Sequence, residues 1–371
     1  MKLAGLDLPL DRPWRVLGLM SGTSADGIDS ALVEIDPRGF NSGTPFKSLL
    51  HHQYEAYPDS LKIKVLEAIH NHSLPKDICI LQRELGNFCG EIIKLISNNS
   101  KIDFVSLHGQ TIQHHPEQGA TLQLADPYVI SLSSQSPVVW DLRRMDMALG
   151  GQGAPLVPLT ETWLRGTKQP WVALNIGGIA NVTAWTGCEL QAWDTGPGMS
   201  ILDIAARIWL GIPQDEDGKN AMGKIHQDLL EHWMKDDYFR YGAPKSTGRE
   251  RFGQAWFESH RIQLETLPIT DRLATLASFT ASSIQFELKR LTLESGTLGF
   301  VSGGGSMHSR VMSELSIDSS IHWSKDTQFP IGSREAISWA LLGAASALSL
   351  PGTVQEITGA SKAGILGSWV L

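Results

Sequence analysis

A glycine- and hydroxyl-rich turn lies between two short apolar stretches near the start of the chain. It reads Ser21-Gly22-Thr23-Ser24-Ala25-Asp26-Gly27 and is followed by Ile28 and Asp29. Glycines let a backbone approach a ligand closely, and the exposed amides of such a turn can point at phosphate oxygens. Three hydroxyl side chains add donors, and Asp26 or Asp29 can hold Mg²⁺ directly or through its waters. The same residue types are common in ordinary turns, so this turn alone leaves both interpretations open.

Two further glycine runs follow predicted strands. Gly177-Gly178 comes after the strand predicted at residues 171–176, and Gly303-Gly304-Gly305 comes after residues 299–302. The first run is placed where a second phosphate loop would lie, and the second can lie flat against a nucleoside. The common nucleotide signatures, G-x-x-x-x-G-K-[ST] and G-x-G-x-x-G after a strand, are absent. Three such turns, each next to a predicted strand, favour a protein that binds phosphate groups.

A carboxylate, Asp194, stands between a predicted strand and a predicted helix. Its surroundings read Ala192-Trp193-Asp194-Thr195-Gly196-Pro197-Gly198. A carboxylate at a strand end that faces a cleft is suited to general-base catalysis. Aspartate is equally favoured as the cap of a following helix. The spacing of residues leaves these two roles open.

Two groups of cationic or titratable residues remain as candidates. Lys245, Arg249 and Arg251 form a small basic cluster. A carboxylate-bearing sugar, a nucleotide or plain solvation would each explain it. Among the histidines, His108 precedes a glycine at a strand end and is predicted to line a cleft. The others lack the helical pairing with a carboxylate that marks a metal site, and we expect most of them at the surface.

Strands and helices interleave along the chain. The strands predicted at residues 15–20 and 30–36 flank the first turn, and those at residues 171–176 and 179–185 flank Gly177-Gly178. This pattern predicts an α/β fold built by internal duplication, with two similar lobes facing a cleft. We expect an N-terminal lobe over residues 1–150 and a C-terminal lobe over residues 151–371, with the C-terminal helix as a candidate to pack back on the first lobe.

The length and composition limit the classes of function. The chain has 371 residues, enough for two lobes, and a formal net charge of −8. Nucleic acids and anionic membranes are bound through basic surfaces, so neither is the expected partner. The three cysteines show no C-x-x-C spacing, and no signal peptide or run of 18 apolar residues is visible. The sequence therefore predicts a cytoplasmic protein with reduced cysteines.

Several of these segments occur together, in order, in one known family. The chain resembles the anhydro-N-acetylmuramic acid kinases over Met20 to Asp29 and in further blocks: His108-Gly109-Gln110-Thr111, Gly151 to Pro158, Asn175 to Asn181, Trp193 to Gly198, and Pro244 to Glu250. Weaker matches continue through Gly303-Gly304-Gly305 to Thr358-Gly359-Ala360. An ordered series of motifs is far more specific than any single glycine turn.

The resemblance implies a duplicated fold like that of actin, hexokinase and Hsp70, with a central cleft between the lobes, and a homodimer that uses ATP and Mg²⁺. It also implies the reaction of 1,6-anhydro-N-acetylmuramate, ATP and water to N-acetylmuramate 6-phosphate and ADP in cell-wall recycling. Asp194 would be the catalytic base, and Asp26 the metal residue. The nucleotide would bind at Ser21, Gly22, Thr23, Ser24, Ala25, Asp26, Gly27, Ile28, Asp29, Gly177, Gly178, Gly303, Gly304 and Gly305. Sugar-side candidates are His108, Gln110, Arg143, Gly196 and Glu335.

Two alternatives to this function remain. One is a kinase for another anhydro sugar, such as levoglucosan, and the other is a non-catalytic ATP-binding protein of the same fold. The sequence departs from the family pattern at Met199, His308 and Arg334. These departures bear on substrate preference rather than on the proposed base.

Overall fold

The computed structural model describes residues 6–22, 24–97, 101–317, 320–330 and 332–371. Thr23, one of the predicted nucleotide residues, lies outside the described residues. The chain divides into two compact units, Met1–Gly166 with Phe329–Leu371, and Thr167–Gln328. No helix in the described ranges combines the length and apolarity needed to cross a membrane.

The first unit is built on a six-stranded sheet with the order β13-β7-β4-β1-β2-β3 and a separate two-stranded sheet of β5 and β6. Its strands are β1 (Trp14–Met20), β2 (Gly27–Ile35), β3 (Phe46–Ala56), β4 (Phe104–Leu107), β5 (Gln110–His115), β6 (Ala120–Leu124), β7 (Val138–Trp140) and β13 (Ser368–Val370). Its helices are α1 (Asp59–Ile69), α2 (Pro75–Ser97), α3 (Pro127–Ser134), α4 (Leu142–Ala148), α5 (Val157–Arg165), α11 (Ser333–Ala347) and α12 (Gln355–Thr358).

Strand β1 is apolar on both faces because helices cover the sheet from both sides. Leu17 belongs to a core with α2, whereas Val16 belongs to a core with α11. At Gly18 the backbone of α11 comes so close that a Cβ atom would lie 1.9 Å from the Ala336 carbonyl oxygen. Glycine on the strand and alanines on the helix therefore allow α11 to pack directly against β1.

The C-terminal segment belongs to the first unit. Helix α11 packs against β1, β2 and α5, and β13 pairs with β7. The division consequently differs from the expected boundary after residue 150. Residues 151–166 and 329–371 join the first unit because their apolar faces are buried against its sheet and against each other.

The second unit contains one five-stranded sheet with the order β10-β9-β8-β11-β12. Its strands are β8 (Trp171–Ile176), β9 (Ile179–Trp185), β10 (Leu190–Pro197), β11 (Thr297–Ser302) and β12 (Ile321–Lys325). Its helices are α6 (Ser200–Leu210), α7 (Gln227–Trp233), α8 (Gln254–Leu264), α9 (Ile269–Leu288) and α10 (Ser309–Ile317). The largest core joins the sheet to these helices through apolar side chains of α6, α8 and α9.

The two sheets repeat one plan. The order β3-β2-β1-β4-β7 in the first unit corresponds to β10-β9-β8-β11-β12 in the second. In both sheets the first three strands are antiparallel and the last three are parallel. The expected α/β class and the internal duplication are confirmed.

Candidate active site

The turn between β1 and β2 is anchored to the rest of the first unit by Ser21. Its buried Oγ atom lies 2.6 Å from Gln110 Oε1 and 2.9 Å from the hydroxyl of Tyr57. Tyr57 also donates to Gln110 Oε1 over 3.2 Å. Ser21 and Gln110 therefore hold the turn to β5 rather than presenting free polar groups.

The remainder of the turn has an unusual backbone. Ala25 has a φ of 52°, and its N–H donates to the Gly22 carbonyl oxygen over 3.2 Å. A Cβ atom on Gly27 would lie 2.4 Å from the Glu55 carbonyl oxygen, so a side chain is sterically excluded there. At Gly22 the nearest atom to an added Cβ would be 3.7 Å away. The turn is thus tight at its end and open at its start.

Two carboxylates flank the end of this turn. Asp26 accepts a hydrogen bond from Ser24 Oγ over 2.7 Å, and Asp29 lies 3.0 Å from His52 Nε2. Burial raises the pKa of Asp29, although the contact with His52 opposes the shift. Burial, with the charge of Asp26 nearby, also raises the pKa of Tyr54 to about 12. The turn therefore carries two partly exposed carboxylates, one in contact with Ser24 and the other with His52.

No cluster of three or more His, Cys, Asp or Glu side chains that could hold a metal ion occurs among the described residues. Asp26 by itself still fits a Mg²⁺ ion, because Mg²⁺ usually keeps several waters and takes only one or two carboxylates.

A second cluster of polar side chains in the first unit is centred on Arg143. Its Nε and Nη2 atoms lie 3.0 and 2.9 Å from His108 Nε2, and Nη1 donates to the Gly153 carbonyl oxygen over 2.8 Å. The guanidinium also lies 5.0 Å from the ring centroid of Trp339. Burial lowers the pKa of Arg143 to about 10, which leaves it charged at neutral pH. Arg143 is thus a rigidly held cation.

The same contacts determine the protonation state of His108. Burial and the charge of Arg143 lower its pKa well below the usual range, so the ring is neutral. Since Nε2 accepts from Arg143, the single ring proton must be on Nδ1. His108, predicted as a substrate residue, contacts Arg143 with its acceptor nitrogen.

Glu335 lies in the first turn of α11 and retains exposed surface. Partial enclosure by protein raises its pKa, Arg143 opposes that shift, and Asp29 adds to it. The preceding residue, Arg334, forms a two-pronged pair with Glu161 of α5, each contact being 2.6 Å. Because Glu161 is buried, this pair fixes the start of α11 and so the position of Glu335.

In the second unit, Asp194 lies within β10, where the pairing with β9 shifts register between Asp194 and Gly196. Its Oδ2 atom accepts from the Thr247 N–H over 2.9 Å, and its own N–H donates to the Lys245 carbonyl oxygen. Burial raises the pKa of Asp194 to about 6, the Thr247 N–H opposes this, and Glu250 adds to it. Asp194 is therefore a positioned carboxylate that is ionised at neutral pH and protonates in mild acid.

The alternative role of Asp194 as a helix cap does not match the structure. The cap position of α6 is Met199, which makes no side-chain capping bond. The N–H groups of Gly198, Met199 and Ser200 donate instead to the carbonyl oxygens of Gly177 and Gly178. A Cβ atom on Gly198 would lie 2.2 Å from the Gly177 carbonyl oxygen. Backbone contacts of the glycine turn thus satisfy the start of α6.

Gly196, predicted as a substrate residue, lies inside the second unit's packing. Its φ is +128°, and a Cβ atom would lie 3.2 Å from the Phe239 ring and 3.3 Å from Ser283. The role of Gly196 that these contacts support is close packing of the bulged strand next to Asp194.

The third glycine run packs against the end of β8. Gly303 has a φ of +84°, and a Cβ atom there would lie 2.6 Å from both Asn175 Oδ1 and the Ile176 carbonyl oxygen. On Gly305 it would lie 2.3 Å from Ile176 Cγ2, whereas on Gly304 nothing would lie within 4 Å. The run leaves one side of the backbone open at Gly304.

Two of the three residues in the basic cluster, Lys245 and Arg251, form ion pairs with carboxylates. Lys245 Nζ lies 2.8 Å from Glu287, which is fully buried, and Arg251 pairs with Asp236 at 2.5 Å. The guanidinium of Arg249 lies beside Gly178, with Nη2 3.1 Å from the place of an added Cβ. Lys245 and Arg251 are thus structural, whereas Arg249 belongs to the glycine turn.

Three residues that position Asp194 were not among the predicted site residues. They are Thr247, which donates to the carboxylate, Tyr238, whose hydroxyl donates to the Asp194 carbonyl oxygen over 2.5 Å, and Glu287, which accepts from the Trp193 indole. The segment from Pro244 to Glu250 was visible as a motif, but a backbone N–H has no signal of its own in a sequence.

Comparisons with known proteins find relatives over nearly the whole length of the chain. The family model described as anhydro-N-acetylmuramic acid kinase matches residues 14–371. The anhydro-N-acetylmuramic acid kinase of Synechococcus sp. (strain CC9605) is 35% identical over 376 residues, covering 95% of this chain and 98% of that protein. The protein of the same name from Shewanella sp. (strain ANA-3) is 38% identical over 376 residues, with coverage of 95% and 97%.

Among solved structures, the activator of the 2-hydroxyisocaproyl-CoA dehydratase from Clostridium difficile is 13% identical, with a TM-score of 0.43 and coverage of 90% of this chain and 96% of that one. A ROK family glucokinase from Streptomyces griseus is 10% identical, with a TM-score of 0.39 and coverage of 88% and 98%. Likenesses this distant do not bear on function. The match of the family model and the identity to the curated relatives extend over nearly the whole chain, and the chain therefore belongs to the anhydro-N-acetylmuramic acid kinase family.

Proposed function

We propose that this protein is an ATP-dependent kinase that converts 1,6-anhydro-N-acetylmuramate and water to N-acetylmuramate 6-phosphate, with release of ADP. The observation that carries the proposal is Asp194, a positioned carboxylate with a raised pKa in a member of this kinase family. We place the reaction in peptidoglycan turnover, as one step of amino-sugar metabolism.

Asp194 acts as the general base. It accepts a proton from water while the water oxygen bonds to the anomeric carbon of the sugar. The bond between that carbon and the bridging oxygen breaks, and this oxygen, O6, takes the γ-phosphoryl group of ATP. A glycosidase needs a second carboxyl group to protonate its leaving oxygen. Here phosphorus captures the oxygen, so one carboxylate suffices.

The contacts of Asp194 suit this role. The Thr247 N–H occupies one oxygen and orients the carboxylate, which leaves the other oxygen for water. A pKa of about 6 keeps the group ionised at neutral pH and makes it more basic than an ordinary aspartate.

The nucleotide residues are proposed on the turns of both units. The residues from Ser21 to Asp29 form the first phosphate turn, Gly177 and Gly178 form the second, and Gly303 to Gly305 lie along the nucleoside. Support comes from the open backbone at Gly22 and Gly304. Asp26 would hold Mg²⁺. When bound, Mg²⁺ offsets negative charge on the phosphates.

The sugar side is proposed around Arg143 and Glu335, with His108, Gln110 and Gly196 in supporting positions. Muramate carries a lactyl carboxylate, and a guanidinium held in a fixed orientation is well suited to bind it. Glu335, with its raised pKa and partly exposed side chain, can exchange hydrogen bonds with sugar hydroxyls.

We further propose that the protein is cytoplasmic, since ATP is a substrate and the cytoplasm supplies it, and that it is a homodimer, as the family resemblance implies. Light scattering coupled to size-exclusion chromatography measures the oligomeric state, and a monomer at micromolar concentration would contradict the dimer.

The function is tested by incubating the protein with ATP, Mg²⁺ and 1,6-anhydro-N-acetylmuramate, with coupled detection of ADP and mass detection of the product. The expected product has the mass of the sugar plus water plus one phosphoryl group. Equal or greater efficiency with levoglucosan would overturn the substrate assignment. ADP formation that is independent of any sugar would instead favour a nucleotide-driven binding protein.

A further inference from the structure

Arg249 is the unpaired cation of the second unit's basic cluster. Its neighbours Lys245 and Arg251 are held by Glu287 and Asp236. Within the described part of the chain, no carboxylate lies at ion-pair distance from Arg249, and its side chain is exposed. Its charge acts from a distance on Asp203, whose pKa is nevertheless raised by burial. The guanidinium is therefore available to a ligand.

The guanidinium lies beside the turn between β8 and β9. An added Cβ on Gly178 would be 3.1 Å from Nη2 and 3.2 Å from Nε of Arg249. A side chain at Gly178 would therefore press directly on the guanidinium. Glycine at this position gives both the cation and a ligand access to the backbone.

The amides of the same turn have a defined direction. The carbonyl oxygens of Gly177 and Gly178 accept from the first N–H groups around α6, between 2.8 and 3.0 Å. In a trans peptide the N–H points opposite to the carbonyl oxygen. The N–H groups of Gly178 and Ile179 therefore point away from α6. Directed amides beside a free guanidinium form a place for an anion.

The loop that carries Arg249 also makes a hydrogen bond to the proposed base, Asp194. Thr247 donates its N–H to Asp194, and Arg249 follows two residues later. One short segment therefore orients the carboxylate and delivers a cation to the glycine turn. Neutralising charge on a transferred phosphoryl group is the main contribution that a protein makes to such reactions.

We propose that Arg249 binds a phosphate oxygen of ATP at the Gly177-Gly178 turn and is a specificity-determining residue for the nucleotide. The assignment rests on the proposed kinase function for its role in turnover, but phosphate binding can be measured separately. The two donors of a guanidinium fork match two oxygens of one phosphate, which a lysine cannot reproduce.

The test compares Arg249→Gln and Arg249→Lys with a matched control, Arg240→Gln. Arg240 is an exposed arginine of the same unit and pairs with the neighbouring Asp237. Calorimetric titration with ATP, ADP and adenosine is the readout. We expect Arg249→Gln to weaken ATP binding by about 10- to 100-fold, the size of a hydrogen bond to a charged group, and to leave adenosine binding unchanged. Arg249→Lys should fall between wild type and Gln.

ATP affinity of Arg249→Gln within twofold of wild type would overturn the proposal. Gly178→Ala gives a second test, since it keeps Arg249 but crowds its guanidinium, and it should also weaken ATP without affecting adenosine. If Arg249→Gln weakens binding of 1,6-anhydro-N-acetylmuramate but not of ATP or levoglucosan, Arg249 reads the sugar carboxylate and the proposal is wrong. If the wild type turns over no anhydro sugar, the proposed function fails, while the ATP and adenosine titrations still decide the role of Arg249.

Discussion

Each unit has a turn between an equivalent pair of strands, but the two turns differ in the polar groups that they contain. The turn between β1 and β2 carries its own polar side chains, and Ser21 anchors it to Gln110 and Tyr57. The turn between β8 and β9 consists of glycines whose carbonyl groups are taken by the start of α6. Its cation, Arg249, comes from a distant segment.

This difference shows that the two halves of a duplicated fold obtain their hydrogen-bond donors in different ways. In the first unit the donors are built into the turn and follow from the local sequence. In the second unit the turn supplies backbone amides, while the loop from Lys245 to Glu250 supplies both the cation and the group that orients Asp194. The second turn is therefore expected to depend more on tertiary contacts than the first.

The largest expected effect is at Asp194. Asp194→Asn should lower kcat by about 10²- to 10⁴-fold, the usual contribution of a general base, with little change in ATP affinity. Asp237→Asn, at an exposed carboxylate of the same unit, is the matched control. Steady-state kinetics measure both, and turnover of Asp194→Asn near that of the control would remove this residue from the mechanism.

The next largest effect is expected in the first unit, at His108, whose Nε2 atom accepts hydrogen bonds from Arg143. His108→Phe removes the Nε2 acceptor and should raise KM for the sugar by about 10-fold or more, since a hydrogen bond to a charged group is lost. His108→Gln offers an oxygen acceptor and should recover part of the loss. Equal effects of Phe and Gln would indicate a purely steric role for His108.

A third change probes the contact between the second turn and α6. Gly198→Ala places a Cβ 2.2 Å from the Gly177 carbonyl oxygen, and the backbone must move. We expect a loss of about 1–3 kcal/mol in the free energy of unfolding, as is typical of overpacking, measured with urea. Gly22→Ala is the control in the first turn, where an added Cβ would make only an ordinary contact, 3.7 Å from Ser24 Oγ. Comparable destabilisation there would show that the loss at Gly198 does not come from the close approach to Gly177.

The smallest expected effect is a change in pH dependence. The base must be deprotonated, so kcat/KM should fall as the pH drops through the Asp194 pKa of about 6. Glu250 raises that pKa by charge repulsion, and Glu250→Gln should therefore move the acid limb to lower pH. Because Glu250 is exposed and screened, the shift should be about half a unit or less. A shift to higher pH would show that Glu250 acts in another way.

Long periodic elements and local turns were predictable from the sequence. The apolar periodicity of residues 272–291 predicts a helix, which the structure shows as α9 (Ile269–Leu288), and the strand predicted at residues 171–176 is β8. The sequence also favours a helix over residues 220–235, but the structure shows only α7 (Gln227–Trp233) there. The N–H groups of Asn220, Lys224 and His226 donate instead to side chains outside that segment. Side-chain partners from elsewhere override the local preference.

The sequence by itself determined the two glycine turns, the α/β class and the identity of Asp194 as a candidate, since steric rules for glycine and apolar periodicity act over a few residues. Only the tertiary structure decided that Asp194 receives the Thr247 N–H from 53 residues away and that Arg143 is held by His108 from 35 residues away. It likewise decided that α11 returns to the first unit. Such contacts arise when buried surfaces pack together, and that packing depends on the whole chain rather than on any segment of it.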